Sequence, residues 1–258
     1  MYDLLGIGRA ALQAQQTRLA VTADNIANVN TTAFKAARPC FADLLYRDLA
    51  PRGIPPGGAS VRAQAGTGTA VVAVLRDGAP GALLATGRAL DLAIEGEGFF
   101  GVTTPAGETL YTRDGTFYLD AEGRLVNAAG YAVEPGITVG EGAVSVQIGP
   151  DGTVTAVNAD GTTEEAGRLK LYTFANPAGL EARGGNLFAA TDAGGAPREA
   201  APGEGAGPVR SGRLEAPNTD LAGEMTALLL AQRAYQAAAR TVQAADEMWA
   251  EANDLGPR

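Results

Sequence analysis

The chain of 258 residues contains no histidine and a single cysteine, Cys40. Without histidine it has no side chain whose ordinary pKa lies near neutrality, and it lacks the commonest transition-metal ligand. One cysteine excludes an intrachain disulfide and any site built from several thiolates, so we expect Cys40 to be a passive thiol. These absences remove most hydrolase mechanisms, and we predict a protein that is not an enzyme, with no catalytic residue, no cofactor and no metal.

Long apolar runs and an excess of positive charge are also missing. The longest apolar stretches, such as Ala70–Leu75, are too short to span a bilayer, and no apolar block of signal-peptide type follows Met1. With 29 acidic and 20 basic side chains the net charge is −9, which repels phosphate backbones. We therefore expect no cleavable secretion signal, no nucleic acid partner and no small-molecule substrate.

Aromatic residues are few, at 6%, whereas glycines are many, at 35, and this balance favours turn-rich β structure. Asp-Gly dipeptides, first at Asp77-Gly78, separate short apolar or alternating runs as the turns of hairpins would. The predicted strands are Thr69–Arg76, Leu90–Glu95, Phe99–Thr103, Thr109–Arg113, Thr116–Asp120, Val144–Ile148, Thr153–Val157, Arg168–Phe174 and Val209–Leu214.

The two ends of the chain carry large apolar residues at heptad spacing, which predicts helices. The N-terminal series starts at Leu5, has neither Gly nor Pro from Arg9 to Phe34, and predicts a helix of about seven turns. The C-terminal helix starts after the capping-type residues Asn218-Thr219-Asp220 and ends before Gly256-Pro257. The predicted seam residues are Leu5, Leu12, Leu19, Ile26, Leu221, Leu228, Tyr235, Val242 and Trp249.

The seam of the second helix alternates large and small side chains. Three residues after the first four large positions stand Glu224, Ala231, Ala238 and Ala245, and small residues let a partner helix approach closely. Residues 1–40 hold four basic and two acidic side chains, net +2, whereas residues 218–258 hold three basic and six acidic, net −3. This weak complementarity favours pairing of the two ends.

The expected fold is α+β: long N- and C-terminal helices pair as a coiled coil and flank a mostly antiparallel, β-rich central domain. We expect a helical arm at 1–40, a connecting segment at 41–68 around a Pro- and Gly-rich stretch, and the β domain at 69–215 with a long loop at 192–208. A second helical arm follows at 216–258.

Chemical motifs are weak. Gly96-Glu97-Gly98-Phe99-Phe100-Gly101 fits the GxGxxG pattern, but a strand-like sequence follows it where phosphate binding needs a helix N-terminus. Two alternatives remain from the residues alone. One is a carbohydrate- or peptide-binding β domain with its helical ends packed on itself, and the other is a metal-dependent enzyme that uses carboxylates only.

Several blocks resemble the bacterial flagellar rod and hook proteins, in family order from the first helix to the last. The motif residues are Asn25, Asn28, Phe34, Lys35, Gly96, Gly98, Phe99, Phe100, Asn218, Gln232 and Arg233. Length and the block Phe41–Tyr46 are most similar to members from the distal rod, with a proximal rod or hook-type subunit as the alternative. Pro217 and Thr32-Ala33 depart from the usual pattern.

The resemblance implies a structural subunit that self-assembles helically through its terminal helices into a drive shaft, which transmits torque from motor to hook. It implies as partners other copies of the chain, other rod and hook subunits, the flagellar export apparatus and ring proteins around the rod. It also implies location in the flagellar basal body, after export across the cytoplasmic membrane without a cleavable signal. The terminal segments would order only on assembly.

Overall fold

The computed structural model describes residues 2–48, 64–140, 143–158 and 160–254. They fall into two compact units. The helical unit contains residues 1–27, 37–76 and 220–258, and the β unit contains residues 28–36 and 77–219. These groupings differ from the predicted boundaries, because the strand at Thr69–Arg76 belongs to the helical unit and residues 28–36 to the β unit.

The first helix, α1, spans Tyr2–Ala27, which at 1.5 Å per residue is roughly 39 Å long. Its length matches the prediction; it includes Gly6 and Gly8, and it ends at Ala27, well before the end of the helical arm predicted at 1–40. The end follows from local competition for hydrogen bonds: the backbone N–H and hydroxyl of Thr31 donate to the backbone and side-chain oxygens of Asn28, at 3.0 and 3.1 Å. Ala33 then takes a positive φ of 55°.

The second helix, α2, spans Leu221–Asp254. Asp220 caps its start, since the two carboxylate oxygens accept the N–H groups of Ala222 and Gly223 at 3.2 Å each. The helices α1 and α2 pack on each other. The prediction of helices at both ends of a β-rich centre is confirmed, and the helices are closely packed.

The described residues of the helical unit also form four strands: β1 (Ala37–Asp43), β2 (Tyr46–Asp48), β3 (Gln64–Gly66) and β4 (Thr69–Arg76). The strands β1 and β4 pair antiparallel, as do β2 and β3, and α1 packs against both β1 and β4. The described part of the segment predicted as a connector is therefore largely sheet. Residues 49–63, where the predicted linker has most of its Pro and Gly, lie outside the described residues.

The β unit holds the remaining described strands, and all of its strand pairs are antiparallel except β18 with β19. The central path of its largest sheet runs β16-β17-β8-β7-β11-β10-β9, and β12-β13-β14 form a separate sheet. The strands are β5 (Leu83–Ala85), β6 (Leu92–Ile94), β7 (Phe99–Thr103), β8 (Thr109–Thr112), β9 (Phe117–Leu119), β10 (Leu125–Asn127), β11 (Ala132–Val133), β12 (Ala143–Ile148), β13 (Thr153–Asn158), β14 (Thr163–Arg168), β15 (Leu171–Thr173), β16 (Glu181–Gly184), β17 (Leu187–Ala189), β18 (Arg198–Pro202), β19 (Gly205–Ala206), β20 (Val209–Ser211) and β21 (Arg213–Glu215).

Two predicted elements of the β unit change in the structure. The segment 192–208, predicted as a long loop, contains β18 and β19, and β18 pairs with β15. The predicted strand Val209–Leu214 is two strands, because Gly212, with a φ of 72°, turns the chain between them. The strand β20 then pairs with β6, and β21 pairs with β5.

The clusters of large buried side chains lie in the β unit. One gathers residues such as Leu92, Phe100, Phe117 and Leu171, each at most 1% exposed, and a second contains Phe99, Tyr111 and Phe174. Phe100 and Phe117 meet edge to face, with ring centroids 5.2 Å apart. Within the described residues, no helix is long and apolar enough to cross a membrane.

Candidate assembly surface

The two helices approach each other through small side chains. Ala231 and Ala245 on α2 are 0% and 3% exposed. Gly8 is buried as well, and a Cβ atom built on it would collide with the side chain of Val242. The contact between helices therefore depends on close backbone approach, as the small half of the predicted seam indicates.

The large half of the predicted seam is only partly covered. Leu221 and Tyr235 remain 44% and 38% exposed. The others are neither fully buried nor fully exposed, namely Leu5, Leu12, Leu19, Ile26, Leu228, Val242 and Trp249. The pairing of α1 with α2 thus brings Gly8 against Val242 and leaves Leu221 and Tyr235 largely exposed.

Further apolar side chains on α2 lie outside the predicted seam. Met225 and Leu229 are 55% and 58% exposed, and with Leu221 they stand four residues apart along the helix. The predicted heptad seam did not include Met225 and Leu229. Their four-residue spacing from Leu221 is nevertheless visible in the sequence. The described part of the helical unit therefore carries more exposed apolar surface than the sequence analysis assigned to it.

Asn25 joins three elements of the helical unit. It is 2% exposed, and its side-chain oxygen accepts the Ala37 N–H at 2.9 Å. Its amide donates to the Ala37 carbonyl at 2.9 Å and to the Glu224 carboxylate at 3.0 Å. This buried asparagine fixes the start of β1 against the end of α1 and the first turn of α2, so it holds the scaffold of the exposed surface in place. Asn28, by contrast, works locally in the turn that ends α1.

Asn218 performs the equivalent task inside the β unit. Its side-chain oxygen accepts the Ala36 N–H at 2.7 Å, and its amide donates to the carbonyls of Asp77 and Ala79 at 2.9 and 3.1 Å. Its own N–H donates to the Phe34 carbonyl at 3.3 Å. The residues before α2 are thus tied to the residues that follow α1.

Lys35 lies in a buried charge cluster next to this network. Its ammonium donates to Glu215 Oε1 at 2.6 Å and to the Ala79 carbonyl at 2.8 Å, and Arg113 Nη1 approaches Glu215 Oε2 at 3.4 Å. Lys35 and Arg113 are each 5% exposed, and Glu215 is 1% exposed. Burial lowers the pKa of Lys35 from its ordinary value, which the attraction of Glu215 opposes.

The sequence analysis did not select Glu215 or Arg113. Glu215 also accepts the Gly81 N–H at 2.8 Å, so one carboxylate serves a lysine, an arginine and a loop. Glu215 and Arg113 lie far from Lys35 along the chain, so no periodic pattern in the sequence links the three residues. Only the presence of Glu215 in a strand-forming stretch just before Asn218 could have pointed to it.

The remaining motif residues separate into two places. Gly96 and Gly98 have positive φ values of 126° and 137° and form the tight connection between β6 and β7, where Phe99 and Phe100 enter the core. Because a strand follows these glycines, the GxGxxG pattern has no helix N-terminus to bind a phosphate. Gln232 and Arg233 are exposed on α2. No cluster of three or more His, Cys, Asp or Glu side chains suited to a metal occurs in the described part of the chain.

Three models of known protein families match parts of the chain. Residues 5–35 match the family model described as flagella basal body rod protein. Residues 93–156 match the flagellar hook protein FlgE/F/G D1 domain, and residues 210–255 match the C-terminal domain of the flagellar basal body rod FlgEFG proteins. The three matches cover α1, the centre of the β unit and α2, in chain order.

Several relatives match the chain over nearly its full length. The flagellar basal-body rod protein FlgG of Agrobacterium fabrum is 40% identical over 254 residues, covering 95% of both chains. The chain belongs to the flagellar basal-body rod protein family. Members named FlgG from Caulobacter vibrioides and Borreliella burgdorferi are 39% and 38% identical, and cover 93% and 99% of this chain and 94% and 99% of their own. The helix pair, the hydrogen-bond networks and the glycine connection described above are therefore features of a structural rod subunit.

Proposed function

We propose that the chain is a structural subunit of the distal rod of the bacterial flagellar basal body and that copies assemble helically through α1 and α2. The observation that carries the proposal is the incomplete burial of the seam: α1 and α2 pack closely where Gly8 meets Val242, whereas Leu221 and Tyr235 stay exposed. Family membership over nearly the whole chain supports the same role.

The energetics favour assembly over a lone subunit. A large apolar side chain contributes roughly 1.5–3 kcal/mol when it is fully buried, and Leu221, Tyr235 and the partly covered seam residues have yet to realise that gain. Repeated along a polymer, these contributions stiffen the shaft that would transmit torque from motor to hook. In the polymer we expect the helices to pack as coiled coils.

The position of the subunit follows from the relatives. The rod proteins named FlgG described above are 38–40% identical to the chain, whereas a rod protein named FlgF, matched over 96% of both chains, is 30% identical, which supports the distal rod over the alternative of a proximal rod or hook-type position. Its partners are copies of itself and other rod and hook subunits. We infer further that the flagellar export apparatus delivers the chain without a cleavable signal, and that ring proteins surround the assembled rod.

The test is a pair of charge substitutions in the seam. Leu12→Asp and Leu228→Asp each place a carboxylate where a neighbouring copy would bury it, so we expect polymers to disappear. Sedimentation and electron microscopy report assembly, and circular dichroism reports the fold of the β unit. Ala237→Asp, at an exposed position of the same helix, is the control and should polymerise normally. Polymers formed by either seam variant at the wild-type concentration would exclude this seam.

A further inference from the structure

The hairpin of β1 and β4 carries a second apolar surface in the helical unit. Both strands pack against α1, yet four large apolar side chains of the hairpin stay exposed. Val72 and Val74, two residues apart and so on one face of β4, are 64% and 47% exposed, and Phe41 and Leu75 are 41% and 46% exposed. Leu75, next to Val74, lies on the opposite face of the strand, so we call Phe41, Val72 and Val74 the hairpin patch.

The complementary surface is the apolar stripe on α2 formed by Leu221, Met225 and Leu229, which we call the α2 stripe. At 100° per residue its centre lies roughly 140° around the helix from Ala231 and Ala245, the positions that face α1. The α2 stripe is therefore free of the helix pair and runs about 12 Å along the helix, at 1.5 Å per residue.

Both surfaces are exposed in the same chain, so neither covers the other within a subunit. Exposed apolar patches of this kind mark sites of protein association. Charge beside the α2 stripe favours their meeting across two copies: residues 220–229 hold two acidic side chains and no basic one, net −2. Residues 37–48 and 64–76 hold three basic and two acidic ones, net +1.

The geometry of a polymer decides between pairing modes. A patch that binds its own counterpart on a second copy closes as a dimer and leaves nothing to extend. A patch that binds a different patch on the next copy is heterologous, and when its rotation does not close it continues as an open helical filament. A rod subunit needs the second kind of contact.

We propose that the hairpin patch of one copy binds the α2 stripe of the next copy. This inference rests on the proposed function, because self-assembly supplies the second copy. It adds to the seam a directional contact in which one subunit contributes strands and its neighbour contributes a helix. Each subunit then has one hairpin patch and one α2 stripe, so every copy has a neighbour on both sides.

The test uses opposite charges on the two surfaces. Val74→Arg and Leu229→Glu each bury a charge without a partner, and we expect each to raise the critical concentration for polymerisation about tenfold or more, equivalent to 1.4 kcal/mol. In the double variant the arginine of one copy meets the glutamate of the next, and polymerisation should return towards the wild-type concentration. Val144→Arg, on a 73% exposed valine of the β unit, is the matched control and should polymerise normally.

Mixing the two single variants gives an independent readout. If the two variants alternate along the polymer, the arginine on the hairpin patch of one variant meets the glutamate on the α2 stripe of the other. The remaining contacts join a native hairpin patch to a native α2 stripe, so the mixture should polymerise. Single variants that assemble normally, or a double variant and a mixture that both stay monomeric, would overturn the pairing. Neither result affects the seam, whose test is the separate loss of polymers in Leu12→Asp and Leu228→Asp.

Discussion

At the residue scale, the unusual feature of the β unit is a carboxylate that serves two buried cations. Glu215 contacts Lys35 at 2.6 Å and Arg113 at 3.4 Å, and all three side chains are at most 5% exposed. Removing one partner of a buried ion pair is costly because it strands the other charge in a poorly solvated place. Loss of the Glu215 carboxylate should therefore destabilise the β unit more than loss of one of the two cations.

We expect Glu215→Gln to lower the free energy of unfolding by about 3–5 kcal/mol, because it leaves both cations without a countercharge. Lys35→Met should cost less than half as much, since it leaves Glu215 paired with Arg113 and with the Gly81 N–H. Denaturant unfolding of the β unit followed by circular dichroism measures both. Equal losses would mean that the cluster depends on Lys35 as much as on Glu215, which contradicts the prediction.

Sequence reasoning selected Lys35, Asn25 and Asn218 as motif residues but not their partners. Those partners are distant along the chain: Glu215 follows Lys35 by 180 residues, and Glu224 follows Asn25 by 199. Periodicity describes neighbours on one element, so it carries no information about contacts that only the folded chain creates. The position of an exposed polar motif residue such as Gln232 was predictable, because the apolar heptads around it already indicate the helix α2.

At the element scale, the pairing of α1 with α2 depends on two glycines with opposite surroundings. Gly6 and Gly8 both lie inside α1, where glycine is a poor helix former. A Cβ on Gly6 would meet nothing within 4 Å, whereas a Cβ on Gly8 would collide with Val242. Val242 is β-branched and has little freedom to move within a helix, so α2 itself would have to shift.

Alanine at these two positions should have opposite effects. Gly6→Ala should stabilise the helix by roughly 0.5–1 kcal/mol through propensity alone. Gly8→Ala gains the same propensity but separates the helices, and we expect a net loss of helix content at a given temperature. Thermal melts monitored at 222 nm compare the two variants directly. A stabilised Gly8→Ala protein would show that the close approach at Val242 is not needed.

Helices and strands were predictable where the apolar pattern of the sequence agrees with the contacts of the folded chain. Thr69–Arg76 and Phe99–Thr103 are strands with the predicted bounds. The strands β1 and β18 were missed because Pro39 and Pro202 lie within them and their apolar content is low, so only pairing with β4 and β15 makes them strands. The end of α1 at Ala27 was missed because side-chain hydrogen bonds from the following turn outcompete helix propensity.

At the scale of the whole molecule, large buried side chains are distributed unequally between the two units. The largest fully buried ones in the described chain, including Phe100, Phe117 and Leu92, all belong to the β unit. In the helical unit the buried residues are small or polar, such as Ala14, Thr22 and Ala231. Helical stability in proteins comes mostly from burial of an apolar face, so the helical unit of a lone subunit should open far more readily than the β unit.

Hydrogen exchange at two concentrations measures this inequality. In a dilute solution we expect fast exchange along α1 and α2 and slow exchange in β7, β8 and β13, because only the latter are anchored by large buried side chains. At polymerising concentration the seam residues and the α2 stripe become buried against neighbours, so both helices should become protected while the β unit changes little. Leu228→Asp, which we expect to remain monomeric, is the control for concentration itself. Helices already protected in the dilute monomer would instead favour a self-packed binding domain, because the helices would then be ordered without assembly.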